Sequence, residues 1–497
     1  MGQAKLKAKR QRDAEVLSQP LTRARFDLYA LGTRSSYTNL HTEELTFWSD
    51  PEEQILALVV RDTVDQDYGY ILLARDKIGR FRCVALEVSF SNEQVATQRA
   101  RAGLAKLLLQ GDIVALGHQG DETNYATDVL SVPPAVDRET LHPFFRQLSE
   151  SSGRHPARSV LREIGPWLAP SDPHFVSEFQ FKQFDQRLWE MYLWAAFREL
   201  RFDVTQPEAP DFLCQGPGFA FTAEATTVGP SASGVLADHP DPRTPDEMED
   251  FLNHYMPMKF GSSLTSKLAK TDKQGRNYWE RGDASNRPFV LAVADFHIPG
   301  GRDEIGSMTY SHSALWPYLY GHRVEWVMRD GQLVVHAVRG EDHTYRGKVV
   351  ETGFFDLPGA ENISAVLFSN AGTLGKFDRM GIVAGFAPED HMYLRSGFRF
   401  DPDPAAVRPV AFTEEVGGAN YTENWADELQ LFHNPNATHP LPVEIFRGVT
   451  QHFFNGSKQV SIIPEGVVLS SFTMIINQSD QKKNIELNTT PSAPISK

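Results

Sequence analysis

Residues 184 to 228 constrain the folding of this chain more than any other stretch of similar length. They begin FDQRLWEMYLWAAFRELRFDV, continue through PDFLC and a QGPG turn, and end FAFTAEATTV. The first part is apolar on most sides of a helical wheel, which predicts a buried helix over about 178–200. The second part predicts short strands over 201–204, 211–214 and 219–227, the last two joined as a hairpin. Turn chemistry centres that hairpin near 216–217, setting Asp211 opposite residues around 222 with Glu224 as a diagonal neighbour. Alternation along the second strand sends Phe219, Phe221 and Ala223 one way and Thr222, Glu224 and Thr226 the other.

Three carboxylates fall inside this framework: Glu190 on the helix, Asp211 at a strand start and Glu224 in mid-strand between two alanines. Strand interiors are poor in acids unless they face water or a site. Two carboxylates converging on one point repel unless a cation lies between them. Mg²⁺ suits such a pair because it takes oxygen ligands and binds through one or two carboxylates while keeping several waters. Each acid also has a plain structural reading: a salt bridge for Glu190, a turn cap for Asp211 after Pro210, and a solvated face for Glu224.

The order helix, three strands, helix, strand, with the spacing PD-(x)12-E-x-T, resembles the PD-(D/E)xK, or restriction-endonuclease-like, nuclease superfamily. The resemblance covers roughly residues 174 to 300, about a quarter of the chain. Pro210-Asp211 matches the PD element, Glu224-Ala225-Thr226 matches (D/E)xK, and Glu190 matches the acid often found on the first helix. The resemblance implies hydrolysis of phosphodiester bonds in DNA or RNA, dependent on Mg²⁺ (or Mn²⁺), with Asp211 and Glu224 as metal ligands. The chain departs from the pattern at Thr226, which stands where the motif has lysine. Some members supply that lysine from the second helix, here expected over about 246–272. Lys267 and Lys270 share a face of it, with Lys259 two turns earlier. Lys267 is the expected catalytic lysine; the other reading is a solvated cationic face opposite Phe260, Leu264 and Leu268.

The rest of the chain divides around this module. Residues 1–20 are expected to form a basic disordered tail, and residues 21–148 an α+β module of a three-stranded meander and a helix over about 92–110. The helix is expected to bury Val95, Leu104, Leu107 and Leu108. A Ser- and Pro-bearing connector spans about 149–173; residues 174–384 form the nuclease-like module, 385–476 a β-rich region, and 477–497 a disordered tail. The fold class is therefore mixed α/β: a small α+β module, a central αβββαβ core with extra strands, and a β-rich C-terminal region.

Composition limits function. The chain has 497 residues, 41% hydrophobic and 23% charged, as expected of a globular protein with more than one core. Two cysteines suit a reducing, cytoplasmic setting and exclude a disulfide framework. No apolar run approaches the ~20 residues that span a bilayer. A net charge of −15 argues against a broad nucleic-acid surface, although the first 25 residues carry an excess of five positive charges that would suit contact with phosphates. Weaker signals include Asp62, Asp65 and Asp67, read as a solvated turn, and SNAGTLGKFDRMG, whose Lys376 and Arg379 would either touch phosphate or stand as surface charges. His297, His312 and His433 could assemble an iron site with a carboxylate. The leading expectation is a nuclease that acts on nucleic acid. The alternatives are a nuclease-like scaffold without catalysis, and a small-molecule metal-dependent hydrolase or iron enzyme.

Overall fold

The computed structural model describes residues 16–122, 127–231, 233–237, 240–297, 312–329, 332–403, 406, 408–456 and 458–478. Most of both expected terminal tails lies outside the described residues; of the basic residues among the first 25, Arg23 and Arg25 are described, and they pair with Glu44 and Glu53 rather than standing free as an arm. Near the N-terminus, β1 (Gln19–Pro20), β2 (Thr42–Ser49), β3 (Ile55–Asp62), β4 (Tyr68–Arg75) and β5 (Phe81–Phe90) form an antiparallel sheet in that order. Two helices cover it, α1 (Arg23–Ala30) and α2 (Glu93–Gln110). The meander and its helix agree with the sequence expectation; β1, β2 and α1 extend it. In β3, Leu56, Leu58 and Val60 pack toward Phe26 and Tyr29, while Ile55, Ala57 and Val59 pack toward α2. A strand covered on both faces needs such an unbroken apolar run.

The contact face of α2 agrees with the expected one at Leu104, with Leu107 and Leu108 partly buried on the same core, and differs at Val95. Ala96, Ala100, Leu104 and Ala105 are buried, while Val95 is exposed. Small residues let the helix approach closely: a Cβ on Gly103 would meet Leu72 Cδ1 at 2.9 Å. The Asp62 turn is solvated as expected, its carboxylate accepting the N–H groups of Val64 and Asp65.

The segment expected to be a connector is largely helical, with α3 (Pro143–Glu150) and α4 (His155–Ile164). Pro143 and Pro156 occupy first-turn positions, where a missing N–H costs nothing. The single helix expected over 178–200 is two, α5 (Phe175–Phe181) and α6 (Phe184–Glu199), and the break lets Phe179 stack on Phe184 at 4.8 Å between ring centroids. There follow β6 (Asp203–Thr205), β7 (Phe212–Gly216), β8 (Phe219–Val228), α7 (Met256–Leu268), β9 (Phe289–Asp295), α8 (His312–Tyr320) and the hairpins β10 (His322–Arg329)/β11 (Gln332–Arg339) and β12 (His343–Tyr345)/β13 (Lys348–Val350). The chain continues as β14 (Ala365–Ser369), α9 (Leu374–Val383), β15 (His391–Arg399), β16 (Val410–Glu415), β17 (Gln430–His433), β18 (Thr450–Phe454), β19 (Gln459–Ile462) and β20 (Val468–Asn477).

Eight of these strands form one mixed sheet in the order β19-β18-β17-β14-β9-β8-β7-β6. β6, β7 and β8 are antiparallel, β8, β9 and β14 parallel. The sheet is continuous past residue 385, because β17, β18 and β19 extend it beyond β14. One face packs on α6, where Trp189, Phe197, Phe221, Ala223 and Ala292 share a core. The other packs on α7 and α8, where Phe260, Leu264, Leu315, Leu291 and Val366 share a second.

A third sheet, β16-β15-β20, is tied to the body by buried charge. Lys376 and Arg379 on α9 are fully buried, contrary to both sequence readings of the SNAGTLGKFDRMG segment. Lys376 Nζ lies 2.7 Å from Glu423 and 3.1 Å from Glu428, Arg379 clasps Glu423 at 2.9 Å, and Arg395 of β15 pairs with Glu428. Burial pushes the Glu423 carboxyl up, but Arg379, Lys376 and Arg395 outweigh it and hold the group well below the carboxylate range. Removing Glu423 would strand three buried cations on Glu428 alone. Glu423→Ala is therefore expected to destabilise the protein by roughly 3–5 kcal/mol, against about 0–1 kcal/mol for Glu325→Ala at the exposed Arg323–Glu325 pair. Urea denaturation of the two variants against wild type checks the difference.

Candidate functional site

Pro217 and Gly218 form the two-residue link between β7 and β8; Gly218 has φ +74°, the left-handed value required at the third position of a type II turn. Phe212 consequently pairs with Ala223, and the same register carried one residue further sets Asp211 across from Glu224. The sequence expectation was one to two residues off because it centred the turn too early. The two acids are locked by backbone: the Asp211 N–H donates to Glu224 Oε2 at 3.2 Å, and the Ala225 N–H donates to Asp211 Oδ2 at 2.7 Å.

The strand alternation is as expected. Phe221, Ala223 and Ala225 join the α6 core, leaving Glu224 and Thr226 to meet α7. Helix and strand match in pitch: four helical residues rise ~6 Å and two strand residues span ~6.6 Å. Ser263 Oγ thus sits 2.8 Å from Thr226 Oγ1, while one turn on Lys267 Nζ donates to Glu224 Oε1 at 2.7 Å. Lys270 lies past the helix end, which is why Lys267 and not Lys270 reaches the acid. The expected single helix over 246–272 is broken into Pro245–Asp250, a wide turn over Phe251–Tyr255, and α7.

Glu190 is held differently. Both its carboxylate oxygens accept from Arg187 Nη1, at 3.1 and 3.0 Å, and Oε1 accepts from Gln186 at 2.9 Å. Arg187 also pairs with Asp172 and Glu178. Gln186 in turn accepts from the Thr227 hydroxyl at 3.2 Å, joining α6 to β8. Glu190 therefore belongs to a salt-bridge cluster at the edge of the site, while its charge still reaches Asp211.

Electrostatics single out Asp211. Burial, then the charges of Glu224 and Glu190, push its carboxyl well above the usual range; Lys267 and the Ala225 N–H oppose this without cancelling it. Burial also raises Glu190, with Arg187 opposing and the Glu224 charge adding. Tyr278, from the segment after α7, closes the site. Burial, and then the charge of Glu224, push the phenol up. Sequence gave no reason to single out Gln186 for this site, since it belongs to no motif and acts through contacts formed only in the fold.

A divalent cation fits this donor set in one respect: Asp211 and Glu224 are two adjacent carboxylates whose mutual repulsion a cation would relieve. Among the described residues no three His, Cys, Asp or Glu side chains are grouped to hold a metal. Any such ion would rest on Asp211 and Glu224, without Glu190. The histidines have other partners: His297 Nδ1 lies 2.7 Å from Asp295, and His433 Nε2 lies 2.8 Å from Gln451. The His312 side chain lies outside the described residues. Trp189, Trp194 and Trp316 are core residues. Comparison of the chain with protein-family models, curated proteins and solved structures gave no match.

The raised Asp211 carboxyl has a consequence with a definite sign. As pH rises, the unfolded chain releases this proton first, so the folded state loses stability from the ordinary aspartate range upward to the raised folded value. Asp211→Asn keeps an acceptor for the Ala225 N–H and removes the charge. In metal-free buffer the variant is expected to melt higher than wild type at neutral pH, with the gap closing toward acid. Added Mg²⁺ is expected to raise the melting temperature of wild type and not of the variant. Thermal denaturation across pH, with chelator and then with Mg²⁺, checks both.

Proposed function

We propose that the chain is a metal-dependent phosphodiesterase of the restriction-endonuclease-like type, acting on nucleic acid. The observation that carries this reading is the 2.7 Å contact between Lys267 and Glu224: the helix delivers a lysine to the acid, while Thr226 holds the lysine position of the motif. The surrounding order supports it: α6, antiparallel β6–β8, α7 and then β9 parallel to β8. Asp211 and Glu224 would hold Mg²⁺ or Mn²⁺, which supplies charge neutralisation and Lewis acidity when bound. Lys267 stands beside Glu224, where it can hydrogen-bond a phosphoryl oxygen or orient the attacking water. Glu190, tied to Arg187, acts through its charge on Asp211.

One observation favours a second reading, a nuclease-like binding scaffold: Glu190 is fully engaged by Arg187 and Gln186 and adds no ligand to the pair. Cleavage assays on DNA and RNA with Mg²⁺ or Mn²⁺ separate the two. Asp211→Asn, Glu224→Gln and Lys267→Met are each expected to slow cleavage by roughly a hundred- to ten-thousand-fold. Thr226→Lys placed in the Lys267→Met background is expected to restore part of the rate. Wild type and variants with the same rate on every substrate would remove the nuclease reading.

A further inference from the structure

Beside Lys267 the site opens into a cavity of about 550 Å³ between β8, the loop after it, α7 and β13. Its size lies within the ~300–1,000 Å³ of small-molecule sites. The same helix–strand pitch that sets Lys267 on Glu224 and Ser263 on Thr226 turns Lys259, one turn earlier, into this cavity. Lys259 is only 9% exposed, and its Nζ donates to Ser231 Oγ at 2.5 Å. Gly261 allows β13 to approach α7, because a Cβ there would meet Val350 Cγ1 at 2.4 Å. That approach brings in Lys348, whose Nζ donates to Ser262 Oγ at 2.8 Å.

The charge balance in this cavity is unusual. Lys267 is neutralised by Glu224, but among the described residues Lys259 and Lys348 have only serine hydroxyls as hydrogen-bonding partners. Burial lowers the Lys259 pKa and the Lys348 charge lowers it further; Asp295 acts in the other direction without forming an ion pair. Among the described residues, these two like charges on neighbouring elements, with hydroxyls around them, form no ion pair. Serine hydroxyls can turn to donate to an anion that accepts the lysines' hydrogen bonds.

We propose that this cavity binds a phosphate monoester dianion, its two negative charges matching Lys259 and Lys348. A terminal phosphate carries close to two charges at neutral pH, whereas an internal phosphodiester carries one. The source is either inorganic phosphate or the phosphorylated end of a nucleotide or strand. Binding here does not require the phosphodiesterase reading. If that reading holds, the pocket would seat a strand end next to the reacting site.

Isothermal titration of the full chain in chelator, at fixed ionic strength, tests the proposal with inorganic phosphate and with a short oligonucleotide with or without a terminal phosphate. Binding of inorganic phosphate or of the phosphorylated oligonucleotide, in clear preference to the dephosphorylated one, is expected; which of the two binds identifies the source. Lys259→Met and Lys348→Met are each expected to weaken it roughly tenfold or more. Lys348 sits on a short edge hairpin, so that variant keeps the test open if Lys259→Met fails to fold. Asp211→Asn is expected to bind phosphate at least as well as wild type, so loss of cleavage and loss of this site are read separately. Equal affinity for the two oligonucleotides with no response to phosphate, or folded lysine variants that bind like wild type, would overturn the proposal.

Discussion

The two faces of β8 organise this molecule. One face offers Phe221, Ala223 and Ala225 to the aromatic helix α6, and the other offers Thr222, Glu224 and Thr226 toward the α7 side. A strand in the middle of a sheet, covered on both sides, would ordinarily be apolar on both. Here the second face is polar: α7 supplies partners in matching register for Glu224 and Thr226, while the buried Thr222 hydroxyl has no hydrogen-bond partner among the described residues. The strand therefore sets the position of two helices and the composition of the site together. A slip of one residue would exchange the faces, burying carboxylate against Trp189 and its neighbours.

Two forms of buried charge stand in contrast. Around Lys376, Arg379, Arg395, Glu423 and Glu428 the opposing charges are interleaved, and the carboxylates are held ionised. That arrangement joins α9, the 421–428 segment and the third sheet as a structural clamp. Around Asp211 the balance is unfavourable: two further carboxylates press on it, and one lysine does not compensate. Strain of that kind inside a stable fold is what distinguishes a candidate site from a structural ion cluster.

Much of the central module could be read from the sequence, because its signals are local. The apolar helix, the QGPG turn and the alternation of FAFTAEATTV each depend on neighbours in the chain. They indicated a buried helix, the hairpin and the faces of β8, though not the break before Phe184, the exact register, or a reason to prefer Lys267 over Lys270. Features that depend on distant pairing were hidden. Nothing in QLFH or TQHFF says that β17 and β18 join a sheet begun more than two hundred residues earlier. Nor does GKFDRM disclose that Lys376 and Arg379 will be buried, since their acidic partners follow some forty residues later. Val95 misled for another reason: alanine and glycine, weak signals in hydropathy, made the real contact face of α2.

The parallel pairing of β8 with β9 has an evolutionary consequence. Both strands run in the same direction, so the segments that leave them emerge on one rim of the sheet, with Val228 beside Asp295. The loop after β8 already forms a wall of the cavity beside the acids. Its length and residues can drift without disturbing the strand pairing or either helical layer. Selection could therefore revise what this rim admits while the acids and their lysine stay fixed on the strand and helix beneath.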